Sequence, residues 1–326
     1  MGKDYYILNN GRLKRKENTF YFWDSATEAN KPLPVEQIDS LHIFGEVDLN
    51  TKFINYASKY GVILNFYNYY GYYTGSFYPR KKNISGFLTV KQSQHYIEKE
   101  KRLYLAKCFV ASAKFHIKRN LRNYKSVPDE VFTNLDKEII DKAKEIDELM
   151  GIEGRIRNIY YKSYGLFLKD GFHMRGREKR PPNDPINALI SFGNSLMYTT
   201  VLGQIYRTQL DPAISYLHEP STRRFSLSLD LAEIFKPLIV DSVIFSLINN
   251  RIIKIEDFSI KDGICMLNDS GRRKVIAEYE NKLSTTIKHR KLNRKVSYRG
   301  FIRLECYKII KYLIGDELYK PLKAWW

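Results

Sequence analysis

The sequence predicts an α+β protein in two parts, an N-terminal β-sandwich domain over residues 1–90 and an all-α-helical domain over residues 91–326. Three observations carry this. Short runs of β-branched and aromatic residues, punctuated by turn residues, fill the first ninety positions. Eleven of the 25 tyrosines fall there, and such aromatic density supplies the large buried area that a small sandwich needs. Beyond residue 90, apolar residues recur at intervals of three and four, the period of a helix. A chain of 326 residues also exceeds one comfortable core and suits two domains.

Asp4–Leu8 is a run of β formers, and Asn9-Asn10-Gly11 after it is a turn signal. Phe20–Trp23 and Leu41–Phe44 are further strands. Ile54–Gly61 reads as a short helix closed by glycine, after which Val62–Tyr67 resumes strand. Tyr69–Tyr78 alternates aromatics around Gly71 and Gly75, as a hairpin does. Lys91–Tyr96 reads as the linker between the two parts. Helices are then expected over Tyr96–Tyr124, Asn134–Tyr164, Ile186–Gln209 and Leu229–Asn249, the last with Pro237 inside it. Helical patterns return at Gly271–His289 and Arg299–Ile314.

Lys and Arg number 54 against 36 Asp and Glu, a formal charge of +18, which points to an anionic partner, most often nucleic acid. Residues 1–90 carry a surplus of only three, so the remaining fifteen belong to the helical part. Between Glu280 and Glu305 lie Lys282, Lys288, Arg290, Lys291, Arg294, Lys295, Arg299 and Arg303 with no acid among them. Solvated helix faces explain most charge runs, but unmixed sign over such a length points to phosphate contact. Arg175, Arg177, Lys179 and Arg180 form a second basic stretch. Cys108, Cys265 and Cys306 are far apart and in no CxxC pair, which argues against a disulfide framework or a cysteine-rich zinc site. No secretory signal or membrane span is expected, and the default compartment is the cytoplasm.

Three segments carry candidate chemistry. On the second helix the inward stripe runs Ile139, Ala143, Ile146, Met150 and then Glu153, Arg157 and Tyr160, so a carboxylate and a guanidinium occupy an apolar face. Their spacing of four makes them neighbours, and a plain buried ion pair would account for it equally. Gly151 and Gly154 flank Glu153 at a helix-propensity cost of about 1 kcal/mol each, and leave room for a close approach. His218 lies in a turn-like segment with Glu219 and Pro220. Asp230, Glu233 and Lys236 share one helix face at spacings of three, although Asp230 alone would also suit a helix cap. Glu, His and an Asp/Glu pair together make an oxygen-rich site with one imidazole, which suits Mg²⁺ or Mn²⁺. Beside a basic surface, that site fits phosphodiester chemistry.

The stretches Gly151–Tyr160, Arg180–Leu189 and His218–Pro220 through Phe225–Pro237 resemble, in order and content, the CRISPR-associated integrase-endonuclease family Cas1. The resemblance extends to the Tyr- and Gly-rich part before residue 90. It implies a dimerising β-sandwich followed by a helical catalytic domain. It also implies Glu153, His218 and Glu233 as metal ligands for Mg²⁺ or Mn²⁺, with Asp230 supporting catalysis beside them. Where the family often has Arg, this chain has Lys236, which keeps the charge but loses the bidentate fork. The implied activity is metal-dependent cutting of DNA and insertion of new spacers into CRISPR arrays, by attack of a 3′-hydroxyl on a repeat phosphodiester. The implied partners are double-stranded and branched DNA, a second copy of the chain, and the small ferredoxin-like protein Cas2. Arg157, Arg223, Arg224 and Lys236, by charge and proximity to the motifs, and Arg294 and Lys295 from the basic run are the candidates for holding DNA. A metal-dependent nuclease of general DNA repair and a non-catalytic basic scaffold remain the alternatives. Trp325-Trp326 has no assigned role.

Overall fold

The computed structural model describes residues 2–80, 83–169, 171–174, 176–178, 181–222 and 225–326. It divides into two compact units, Met1–Ile84 and Ser85–Trp326, each with its own core. The architecture is α+β.

The first unit is built from β1 (Lys3–Ile7), β2 (Gly11–Lys16), β3 (Thr19–Asp24), β4 (Ala29–Leu33), β5 (Ile38–Ile43), β6 (Val47–Leu49), α1 (Thr51–Tyr60), β7 (Ile63–Tyr67) and β8 (Tyr73–Phe77). Two four-stranded sheets form, in the orders β1-β5-β7-β8 and β4-β3-β2-β6. In β3, Phe20 and Phe22 point inward while Tyr21 and Trp23 are half-buried, the period of two expected of a strand covered on one face. Phe20, Leu13, Leu41, Phe53, Ala57 and Leu64 join both sheets and α1 in one core. Asn50 caps α1 by accepting the Phe53 N–H, and Gly61, at φ 71°, closes it in the left-handed region. The Asn9-Asn10-Gly11 turn is not a hairpin. β1 pairs with β5 and β2 with β3 and β6, so the chain crosses there from one sheet to the other. Gly11 serves close approach rather than positive φ: a Cβ on it would lie 2.0 Å from the Trp23 carbonyl oxygen.

The second unit begins at Ser85, whose hydroxyl accepts the Leu88 N–H and starts α2 (Gly86–Ile97). Lys91–Tyr96, expected as a linker, therefore lies within a helix. α3 (Lys99–Arg122) follows, then α4 (Asp129–Lys137), a 3₁₀ turn over Ile140–Lys142 and α5 (Ile146–Lys162). The single helix expected over Asn134–Tyr164 is thus three pieces. Glu138 and Ile139 leave helical geometry, and Asp147 and Glu148 restart the chain, the Glu148 carboxylate accepting the Lys144 N–H at 2.7 Å. Ile139 is exposed, and the buried stripe of α5 is Leu149, Ile152, Ile156, Arg157 and Tyr160, with Glu153 half-buried beside it.

α6 (Pro185–Tyr206) is buried almost throughout and starts at Asp184, whose carboxylate caps the Asn187 N–H. α7 (Ser226–Phe235) runs into a π-helical segment, Lys236–Asp241, before α8 (Ser242–Asn249). Pro237 lacks the N–H that a continuous helix requires, and the wider turn absorbs the break. Two hairpins depart from the all-helical expectation. β9 (Phe258–Lys261) and β10 (Ile264–Leu267) are joined by Asp262-Gly263, both at positive φ. After α9 (Asp269–Ser284), β11 (Thr286–Lys288) pairs with β12 (Lys295–Ser297), and α10 (Tyr298–Leu313) follows. Trp325 and Trp326 pack against Phe301, and the Trp326 indole donates to the Tyr298 hydroxyl at 2.7 Å. Among the described residues, no helix is long and apolar enough to cross a membrane.

Gly11→Ala is expected to destabilise the first unit by roughly 2–3 kcal/mol, because the added methyl meets backbone that cannot yield. Gly86→Ala, where a Cβ meets nothing within 4 Å, should lower the thermal midpoint far less. Thermal unfolding followed by circular dichroism checks the pair.

Candidate active site

α7 places Asp230 and Glu233 on one face, and the π-helical segment adds Lys236 and Asp241. Asp230 is fully buried and satisfied by backbone. Its Oδ2 accepts the N–H groups of Tyr216 (2.6 Å) and Leu217 (3.0 Å), and its Oδ1 accepts that of His218 (2.9 Å). The carboxylate is an anionic bead around which the 216–218 loop is wound, rather than a cap for its own helix. Oδ1 also lies 2.8 Å from His218 Nδ1. With an ionised partner that nitrogen carries the proton, so Nε2 keeps its lone pair for a ligand. Arg102 fastens the same loop from α3, donating through Nε to the Tyr216 carbonyl at 2.9 Å and through Nη2 to Glu219 at 2.6 Å.

Glu153 and Glu233, far apart in sequence, meet at Arg157. The Arg157 Nε donates to Glu153 Oε1 at 3.0 Å, and its Nη2 donates to Glu233 Oε2. A guanidinium edge that ordinarily grips both oxygens of one carboxylate here takes one oxygen from each of two. Lys236 Nζ donates to the remaining Glu233 oxygen at 2.6 Å. Burial alone would raise the Glu233 carboxyl, but Lys236 and Arg157 outweigh it and hold the group well below the usual range, with His218 adding to their pull. Burial opposes the charge on Arg157, but Glu233, Tyr161, Glu153 and Asp241 overcome that and hold it firmly protonated.

Asp241 was not anticipated as a site residue. It is 2% exposed, and burial pushes its carboxyl up to about 6, against the opposing pull of Arg157 and of the Tyr160 hydroxyl. A lone carboxylate inside Leu238-Ile239-Val240-Asp241-Ser242-Val243-Ile244 is the signal that could have found it.

The fold thus brings Glu153, Arg157, Glu233 and Lys236 into hydrogen-bonded contact, with Asp230 holding His218 and His218 within electrostatic reach of Glu233. Two carboxylates and an imidazole locked by a carboxylate at Nδ1 are a donor set that fits Mg²⁺ or Mn²⁺. As arranged, however, no group of three or more His, Cys, Asp or Glu among the described residues forms a ready metal cage. Arg157 holds the oxygens that such an ion would use. Gly154 beside Glu153 is exposed, and a Cβ there would meet nothing within 4 Å, so this face of α5 is solvent-facing.

Arg294 and Lys295 lie on the β11–β12 hairpin, exposed. With Lys288, Arg290 and Lys291 they make five cations without a carboxylate partner among the described residues. The other members of the basic run are structural. Arg299 binds Glu280 at 2.8 Å, Arg303 donates to Gln204 at 2.9 Å, and half-buried Lys282 sits over the Tyr298 ring. Arg223 and Arg224, and Arg175, Lys179 and Arg180 of the second stretch, lie outside the described residues. Arg177 is tied to the buried amide of Asn187 at 2.8 Å.

Comparison with known proteins adds the family. Residues 5–281 match the family described as CRISPR associated protein Cas1. The CRISPR-associated endonuclease Cas1 of Clostridium perfringens is 65% identical, covering 100% of both chains. CRISPR-associated endonuclease Cas1 3 of Thermodesulfovibrio yellowstonii is 57% identical, covering 99% of this chain and 100% of the relative. A solved Cas1 protein of Thermotoga maritima shares the fold at a TM-score of 0.88 and 40% identity, covering 97% of this chain and 98% of its own. A casposase bound to integration product, 22% identical, has the same fold at a TM-score of 0.85, covering 99% and 93%.

Because the Asp241 carboxyl is raised in the folded chain, the folded state keeps that proton longer than the unfolded one, and stability falls as the pH rises from about 4 to 6. Asp241→Asn should remove this dependence. Relative to wild type, the variant should gain roughly 2–3 kcal/mol between pH 4 and 6.5, measured by denaturant unfolding at each pH.

Proposed function

This chain belongs to the Cas1 family, and on that footing we propose that it is a metal-dependent DNA endonuclease and integrase that inserts new spacers into CRISPR arrays. The observation that carries this is the meeting of Glu153 and Glu233 on one guanidinium, with an Asp230-locked His218 in electrostatic reach. Glu153, His218 and Glu233 would hold Mg²⁺ or Mn²⁺, which when bound supplies Lewis acidity to the reacting oxygens. Asp230 keeps the His218 proton on Nδ1 and so leaves Nε2 as a donor of electrons. Lys236 and Arg157 keep Glu233 ionised. In integration, a 3′-hydroxyl of the incoming DNA attacks a phosphodiester of the repeat, a new P–O bond forms, and the displaced 3′-oxygen leaves with a proton. Water in place of the hydroxyl gives cleavage, so both activities belong to one site.

The exposed cations of the β11–β12 hairpin, which have no carboxylate partner among the described residues, are suited to the DNA backbone. Arg223 and Arg224, by charge and sequence proximity to His218, and Lys236, bonded to Glu233, are the further candidates for DNA, whereas Arg157 is buried against Glu153 and Glu233. We place the protein in the cytoplasm as a homodimer that works with the small ferredoxin-like protein Cas2 on double-stranded and branched DNA. Solved relatives of the same fold include a Cas6-RT-Cas1–Cas2 complex.

Glu153→Ala, His218→Ala and Glu233→Ala should each lower cleavage and strand transfer by a factor of roughly 10³ or more while DNA binding persists. Gel assays on repeat DNA with Mn²⁺ measure both. Full activity in any variant removes that residue from the site. Cleavage without strand transfer to repeat DNA would favour a repair nuclease, and divalent-independent binding with no reaction would favour a scaffold. Replacing Arg294 and Lys295 by Ala should weaken binding across sequences and flatten the plot of log affinity against log salt by about one unit per lost contact. An unchanged slope would show that the hairpin is only solvated surface.

A further inference from the structure

Two buried polar atoms near the site have no hydrogen-bond partner, Arg157 Nη1 and Asp241 Oδ2. They carry opposite charges and lie within electrostatic reach of each other. Leaving either unpaired costs on the order of 1–3 kcal/mol, more for a charged group, so a fold retaining both calls for a reason. The reason lies on the other edge of the guanidinium, where Nε and Nη2 are committed to Glu153 and Glu233. These are the two carboxylates that a divalent cation would need. A doubly charged ion about 5 Å from a guanidinium would repel it by roughly 6–7 kcal/mol at an effective dielectric of 20, so ion and guanidinium cannot share the carboxylates as they stand.

We propose that Asp241 is a positioning residue that receives the Arg157 guanidinium when a divalent cation takes Glu153 and Glu233. The inference rests on the metal-dependent reading above. Arg157 is then an internal counter-ion that stabilises the two acids before the ion arrives, and Asp241 is its second partner. The geometry suits the exchange. Nη1 is already unpartnered, so the guanidinium has a donor to offer before it surrenders the others. Asp241 sits at the end of the π-helical segment, on the α8 side of Pro237. That segment is pinned by Asn120, whose Nδ2 donates to the Pro237 carbonyl at 2.7 Å and to the Tyr160 hydroxyl at 3.0 Å. The Asp241 carboxyl therefore has a fixed frame, and it is ionised at neutral pH. Its other charged or titratable neighbours are Lys236 and the hydroxyls of Tyr160, Tyr161 and Tyr164, and burial holds the three hydroxyls protonated, so none competes for Arg157 as an anion would.

The test is a double-mutant cycle read by Mn²⁺ binding to the full chain at pH 7.5, followed by electron paramagnetic resonance of free Mn²⁺. Asp241→Asn should weaken Mn²⁺ binding by about tenfold or more, because the guanidinium has nowhere to go. Arg157→Gln should bind Mn²⁺ at least as tightly as wild type, and Asp241→Asn should cost nothing further in that background. An equal loss in both backgrounds would mean that Asp241 acts only through its field, and no loss in either would mean that it plays no part; both overturn the proposal. Should Asp241→Asn fail to fold, a crystal structure of the wild-type protein with Mn²⁺ decides. Arg157 hydrogen-bonded to Asp241 supports the exchange, and Arg157 still on both glutamates refutes it. Absence of Mn²⁺ binding by the wild-type chain would sink the metal-dependent reading and this proposal together, whereas binding indifferent to Asp241 sinks this proposal alone.

Discussion

The guanidinium of Arg157 is the constraint on which the site depends. Two carboxylates about 4–5 Å apart repel by roughly 3–4 kcal/mol at an effective dielectric of 20, and burying either without a partner costs several more. Arg157 and Lys236 remove both penalties, by contacts to Glu153 and to each oxygen of Glu233. On the proposed function, the ion pair and the catalytic carboxylate, rival readings of Glu153 in the sequence, are one arrangement. An acid held ionised by cations needs no deprotonation before it meets a metal. Buried ion networks contribute little net stability relative to apolar packing, so their retention here is better explained by chemistry than by folding.

A second constraint fixes the imidazole. Asp230 accepts three backbone N–H groups of consecutive residues together with His218 Nδ1, so one carboxylate sets both the path of the loop and the tautomer of the ring. The π-helical segment carries this geometry forward. By widening the helix at Pro237 it keeps Lys236 against Glu233 at one end while placing Asp241 within electrostatic reach of Arg157 at the other. π-helical turns cost hydrogen-bond geometry, and they recur where a helix must aim several polar groups at one point.

What the sequence made legible follows the range of the forces involved. Gly61 as the left-handed cap of α1 was readable because its conformation is local. So was the alternation in β3. The Asp262-Gly263 hairpin is equally local, a two-residue turn with both residues at positive φ, but its flanking strands are only four residues each and carry too short a pattern to stand out. β4 was hidden by Pro32, which a strand tolerates at a sheet edge, and β2 by basic residues that leave Leu13 as its one buried side chain. The expected stripe from Ile139 crosses a break before α5, so its phase fails at the start and holds at Glu153 and Arg157. The convergence of α5 with α7 was not legible from residues alone, since no local rule connects positions 153 and 233; only the combined motifs suggested it. Asp241 is hidden because a helix pattern does not distinguish a solvated acid from a buried one.

The basic run shows why charge in a sequence overstates the charge available to a ligand. Its eight cations were read as one surface. Arg299 answers Glu280, Arg303 is held by Gln204, and Lys282 is drawn over an aromatic ring, so three are consumed by the fold. Lys288, Arg290, Lys291, Arg294 and Lys295 sit instead on a short antiparallel ribbon whose inner strand residue, Val296, is buried, while His289 stacks on Phe301. Arg290 in turn lies over the Trp325 ring. The indole pair that had no role in the sequence thus braces the hairpin from below. Cations on a braced ribbon lose less conformational freedom on meeting a phosphate than cations on a mobile loop. The same count of lysines and arginines therefore yields two different functions, one internal and one directed outward, and burial rather than sequence position separates them.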